Sequence, residues 1–116
     1  MEVKVGCDIV EIKRFSKLDK KILNKIFHAS EQKNQKPETL AGIFAAKESC
    51  KKVFNSLSWL DIEIKKKRNG KPILILNESK ITVNKGEEVT SYDLSISHDG
   101  DSAIAVTVFL IKRGGL

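Results

Sequence analysis

The sequence predicts an α+β fold in which two helices pack against an antiparallel sheet. Apolar residues recur at helical spacing through much of the first half of the chain and at strand spacing through most of the second. Turn signatures, Asn69-Gly70 in "RNGKP" and Asp99-Gly100 in "HDGDS", separate the later apolar runs.

Along the chain, Val3, Val5, Cys7 and Ile9 alternate with other residues, which predicts a strand with those four on its buried face and Asp8 pointing away from it. Phe15, Leu18, Ile22 and Ile26 follow at three- and four-residue spacing, a first helix backed by Lys13, Lys17, Lys20, Lys21 and Lys25. "HASEQKNQK" reads as a loop or weak turn. Pro37 suits the first turn of a second helix running to about Val53. Its apolar line is Leu40, Ile43, Phe44, Cys50 and Phe54, with Ala41, Ala45, Glu48 and Lys52 on a neighbouring line. "DIEIKKK", "KPILIL", "KITVN", "DLSIS" and "SAIAVTVFLI" read as strands.

A chain of 116 residues fits one domain, and 41% hydrophobic with 31% charged residues is a globular balance. Lys plus Arg outnumber Asp plus Glu by 21 to 15, and the resulting +6 favours an acidic partner: nucleic acid, an anionic cofactor or an acidic protein. Cys7 and Cys50 form no CxxC pair and have no histidine at zinc spacing, so they read as two ordinary buried thiols. The N-terminal "MEVKVGCDIVEIKRF" lacks an apolar signal core, and no run approaches the ~20 apolar residues that span a bilayer, so a cytoplasmic protein is expected.

Each polar constellation has two readings. Glu48 and Lys52, at i and i+4 with the acid first, form a good surface ion pair. Asp8, at the end of an apolar strand, suits a cap or turn as well as catalysis. His98 stands at the shoulder of a hairpin, where a polar residue needs no further reason. Asp93, Asp99 and Asp101 lack the spacing of a calcium loop. "RNGKP" is a basic turn that can either hold an anion or simply connect two strands.

Read in order, four stretches resemble one family, the holo-[acyl-carrier-protein] synthases, which are small trimeric phosphopantetheinyl transferases. They are "VGCDIVEIKRF", "FAAKESCKK", "WLDIEIKKKRNGKP" and "LSISHDGDSAIAV", and together they span nearly the whole chain. The resemblance implies one transferase domain over 1–116 and a homotrimer with active sites between subunits. The "SISH" hairpin and Asp8 would then face each other across chains. It implies transfer of the 4'-phosphopantetheine arm of coenzyme A to a serine of an apo acyl carrier protein in fatty acid biosynthesis. It implies a magnesium ion held by Asp8 and Glu48. Magnesium favours oxygen ligands and retains several waters, so two carboxylates and a pyrophosphate suit it. Glu48 is then expected as general base and Lys52 as the group facing the pyrophosphate. Coenzyme A is expected near Gly70, Lys71, Pro72, Ser97 and His98. Arg14, with Lys17, Lys21 and Lys25, is expected to dock the acidic helix of the carrier.

The chain departs from the family pattern at Ile43, where a basic residue is common, at Ser49, where alanine is common, and across "VFNSLS", where the family has glycine. Val10 stands where the larger monomeric transferases carry a third acid. Two other readings are a small basic nucleic-acid-binding module and a weakened relative that only binds coenzyme A or carrier protein. Aromatics at 6% leave the first without a stacking platform. The presence of Asp8, Glu48 and Lys52 argues against the second.

Overall fold

The computed structural model describes residues 1–33 and 36–114. It contains a three-stranded antiparallel sheet, ordered β1-β5-β4, and a separate antiparallel hairpin, β2-β3. The strands are β1 (Glu2–Glu11), β2 (Ile62–Lys66), β3 (Pro72–Leu76), β4 (Glu87–Asp99) and β5 (Ser102–Arg113). The helices are α1 (Lys20–Ile26), α2 (Ala29–Gln32) and α3 (Pro37–Val53). The α+β expectation holds, and α3 is the long helix that covers the sheet.

α3 begins with Pro37 in its first turn, as expected, and buries Leu40, Ile43, Phe44 and Cys50 together with the small residues Ala41, Ala45 and Ala46. Across from it, β5 presents Ala103, Ala105, Thr107 and Phe109, all fully buried. Small side chains on both surfaces bring helix and sheet close. The closest approach is at Gly6, where an added Cβ would overlap the Ser49 carbonyl oxygen and lie 2.8 Å from its carbon and 3.0 Å from Thr107 Oγ1. Only glycine fits there.

That contact reverses the expected orientation of β1. Gly6 and Val10 are the buried residues of the strand, and Asp8 lies on their face, toward α3. Val3, Val5, Cys7 and Ile9 point outward, and so Cys7 is exposed while Cys50 is buried as expected. Alternation separates the two faces of a strand without saying which one the helix covers.

The expected first helix is broken. Ile12–Phe15 is a short 3-10 turn, and α1 starts only after Asp19, whose carboxylate caps it by accepting from the Ile22 amide at 2.9 Å. The "HASEQ" part of the expected loop forms α2, closed by a capping box between His28 and Glu31. "KITVN" is not a strand. A 3-10 turn, Glu78–Lys80, leads into it, with Ser79 Oγ donating to Asn77 Oδ1 at 2.7 Å and the Lys80 amide to the Asn77 carbonyl at 3.0 Å, and residues 81–84 then run on in irregular structure. "DLSIS" is the middle of the longer β4. Both expected hairpin turns form, with Gly70 and Gly100 in the left-handed region at φ +84° and +57°.

Candidate active site

Asp8 sits in β1 opposite the last turns of α3, and its side chain is only 15% exposed. Lys52 reaches it from the helix: Nζ donates to Asp8 Oδ1 at 2.8 Å and to the Cys7 carbonyl at 2.9 Å. The hydrogen bond that Lys52 donates to Asp8 raises the Lys52 pKa above its usual value. The second carboxylate oxygen, Oδ2, is buried and has no hydrogen-bond partner among the described residues. A buried carboxylate oxygen left bare is uncommon and marks a place where a cation or donor is missing.

Glu48 lies one helical turn before Lys52. The i,i+4 surface pair expected between them does not form, because Asp8 on the facing strand takes the Lys52 ammonium. Glu48 Oε1 instead accepts from the Trp59 indole nitrogen at 2.6 Å and lies 3.7 Å from Lys51 Nζ.

The residue before Glu48 was missing from the expected site. Lys47 is fully buried, and its Nζ donates to Glu31 Oε1 at 2.7 Å, to the Ile26 carbonyl at 2.8 Å and to the Trp59 carbonyl at 3.2 Å. Glu31, 1% exposed, also accepts from the His28 and Ile64 amides, both at 2.8 Å. Burial holds the Lys47 pKa below its usual value, opposed by Glu31. The signal was available: Lys47 falls on the line of Leu40, Phe44, Cys50 and Phe54, and a lysine on an apolar stripe needs a buried partner.

A cavity of about 560 Å³ opens between α3, the β2-β3 hairpin and β4. Of the residues expected to meet coenzyme A, His98, Gly70 and Pro72 line it, beside Lys65 and Lys66. Ser97 alternates to the opposite face of β4, and Lys71 leans toward Asp93 at 3.9 Å. Ile43, where the family commonly has a basic residue, also lines this cavity. His98 and Asp8 share one face of the sheet, but β5 runs between their strands and their partners on it, Ala103 and Ala105, are two residues apart, so they stand roughly 12 Å apart. They do not meet within one chain.

The four basic residues expected to dock a carrier are all exposed, yet they do not form one helical face. Arg14 belongs to the 3-10 turn, with its guanidinium 5.9 Å from the Phe15 ring centroid and 5.5 Å from that of Phe44. Lys21 and Lys25 are a turn apart on α1, and Lys17 lies in the link between.

The family model described as the 4'-phosphopantetheinyl transferase superfamily matches residues 4–107. The chain is 37% identical to the holo-[acyl-carrier-protein] synthase of Caldanaerobacter subterraneus subsp. tengcongensis, over 93% of this chain and 94% of that protein. It is 39% identical to the enzyme of the same name from Campylobacter jejuni subsp. jejuni, over 93% of this chain and all of that protein. Among solved structures, the Helicobacter pylori holo-[acyl-carrier-protein] synthase in complex with coenzyme A superposes with a TM-score of 0.77 at 34% identity, covering 92% of this chain and 100% of that one. With a family model spanning residues 4–107 and relatives 37% and 39% identical over 93% of its length, the chain belongs to the 4'-phosphopantetheinyl transferase superfamily.

Proposed function

We propose that this protein is a holo-[acyl-carrier-protein] synthase that moves the 4'-phosphopantetheine arm of coenzyme A onto a serine of an apo acyl carrier protein of fatty acid biosynthesis. Its relatives carry that name, and the observation within the chain that supports the chemistry is the bare, buried Asp8 Oδ2 beside α3. In the reaction the serine oxygen bonds to the phosphopantetheine phosphorus. The bond from that phosphorus to the bridging oxygen breaks, and adenosine 3',5'-bisphosphate leaves with the electron pair. Glu48 accepts the serine proton. Lys52 leaves Asp8 for the pyrophosphate, where its ammonium offsets the charge on the leaving group. The nucleotide lies along the cavity by Gly70, Pro72 and His98, while Lys71 and Ser97, outside that lining within one chain, would reach it only by side-chain movement or from a neighbouring subunit.

The donor set fits magnesium: two carboxylates of the hard-oxygen kind, one with an oxygen that has no hydrogen-bond partner among the described residues. Asp8 and Glu48 would hold the ion, and when bound it supplies positive charge at the pyrophosphate. Incubating the protein with apo carrier, coenzyme A and magnesium should add one phosphopantetheine mass to the carrier. A protein that only binds coenzyme A or carrier, or a nucleic-acid-binding module, would leave that mass unchanged.

The homotrimer proposal is supported by the outward face of the sheet. Val3, Val5 and Ile9 of β1 are 56%, 60% and 63% exposed and adjoin Ile104 and Val106 of β5, an apolar surface suited to burial against other copies. Light scattering should give three chain masses. Cys7, at the middle of that face, should react with an alkylating reagent only once the assembly is diluted apart. Cys50, whose thiol burial pushes up to about 12, should stay inert throughout. A monomeric mass with full activity, or free labelling of Cys7 at assay concentration, would sink the arrangement.

For carrier docking, the basic group of Arg14, Lys17, Lys21 and Lys25 offers charge complementarity to an acidic helix near Asp8. Reversing Arg14 and Lys21 to Glu should weaken apparent carrier affinity and flatten its salt dependence while leaving coenzyme A binding unchanged. Unaltered carrier affinity and salt response would place docking elsewhere.

A further inference from the structure

Trp59, the only tryptophan of the chain, is gripped at both ends by consecutive residues of α3. Its indole N–H donates to Glu48 Oε1 at 2.6 Å, and its carbonyl accepts from Lys47 Nζ at 3.2 Å. The ring is bracketed by Lys51 Nζ, 4.1 Å from its centroid, and by Phe44, with 6.3 Å between ring centroids. The 3-10 turn that Trp59 opens is itself fixed by Asp61 Oδ2, which accepts from the Ser58 amide and from the Ser58 hydroxyl, each at 2.9 Å. Little freedom is left to this side chain.

The consequence falls on Glu48. A glutamate side chain has several rotamers and two equivalent oxygens, so a carboxylate that must meet a cation or a serine hydroxyl needs something to choose its orientation. Both Trp59 and Lys51 address the same oxygen, Oε1. An indole N–H only donates, so it fixes the carboxylate without competing to take up a proton. Lys51 is drawn over the ring face, where the aromatic quadrupole holds its ammonium.

We propose that Trp59 is a positioning residue for Glu48: it commits Oε1 to the indole and leaves Oε2 to the metal and the incoming serine. This rests on the transferase reading given above. Outer partners of metal-ligating groups are worth about 10- to 100-fold in metal affinity or activity. Trp59→Phe keeps an aromatic ring for Phe44 and Lys51 and deletes only the N–H donor and the second ring. In that variant kcat should fall about tenfold or more, with KM for coenzyme A nearly unchanged, and Mn2+ binding followed by electron paramagnetic resonance should weaken by a similar factor. A structural role alone would lower the melting temperature and leave kcat and Mn2+ affinity as in the unaltered chain, and that result overturns the proposal.

A second measurement needs no variant of Trp59. All tryptophan emission of the unaltered chain comes from this ring, so Mg2+ should change it saturably, and Asp8→Asn should abolish the change. If Trp59→Phe fails to fold, this titration decides, and emission indifferent to Mg2+ overturns the proposal. The two readings fail separately. Absence of transfer by the unaltered chain sinks the transferase reading, whereas equal transfer by the unaltered chain and Trp59→Phe sinks only this one.

Discussion

Asp8→Asn is expected to lower phosphopantetheine transfer by on the order of 10²-fold or more while leaving the melting temperature unchanged or slightly raised. The asymmetry follows from what each carboxylate oxygen does. Oδ1 makes an ion pair with a Lys52 side chain that is 55% exposed, and pairs of that kind contribute less than about 1 kcal/mol. Oδ2 is buried without a partner among the described residues, and a carboxylate oxygen so placed lowers the stability of the fold. An amide preserves the shape and removes the charge, which lowers the cost of burying an unpartnered group and, on the transferase reading proposed above, deprives the pyrophosphate site of half its carboxylate set. The check is the mass of the carrier after timed incubation, paired with thermal unfolding. A large fall in melting temperature with little loss of transfer would mean that Asp8 serves the fold and not the reaction.

Lys47→Ala is expected to act in the opposite sense, lowering stability by about 3 to 5 kcal/mol, because it leaves the Glu31 carboxylate buried without its cation. Ile26 and Trp59 would also lose the donor to their carbonyls. The ammonium is thus the junction at which the end of α1, the Trp59 turn and α3 are tied, while Glu31 ties α2 to β2 through the Ile64 amide. Chemical denaturation measures the loss directly. Adding Glu31→Gln should restore part of it, since the double variant no longer holds an unpaired buried charge. A single variant within about 1 kcal/mol of the unaltered chain would show that water or a rearranged neighbour takes the place of Lys47.

Much of this architecture could be read from residue order. α3 was legible from Pro37 through Val53 because a sustained 3.6-residue period and a proline at the start are local properties. The two hairpin turns were legible because Gly70 and Gly100 mark conformations that other residues rarely adopt. The orientation of β1 was not, since an apolar row on a strand suits a helix-covered face and a subunit-facing surface equally well. The first helix was overextended because the 3-10 turn at its start ends at Ser16, and Asp19, placed between two apolar turns, caps a separate helix that starts only at Lys20.

Of the expected site residues, Asp8 and Lys52 meet, whereas Glu48 turns to Trp59 and Lys51, so the i,i+4 pairing expected from the helix is not the one that forms. The i,i+4 rule treats a helix in isolation, and here a carboxylate from the sheet outbids the one on the same helix. Trp59 and Glu31 stayed hidden for a related reason. Each meets α3 only through the folding of a distant segment, and nothing near them in the chain announces the contact.

The Gly6–Ser49 contact has a bearing on how this active site can change. Gly6 stands two residues before Asp8, and Ser49 immediately follows Glu48. Their contact involves main chain on both sides, with no side chain of Gly6 to trim or enlarge. The gap between the strand that carries one acid and the helix that carries the other is therefore set by backbone thickness, like two boards laid flush. On the reading proposed above, in which Asp8 and Glu48 hold the ion, exchanges of side chains elsewhere on α3 would leave this backbone gap as it is. Widening it would mean lifting the helix from the strand, and the first sign of that in a sequence would be a side chain where Gly6 now stands.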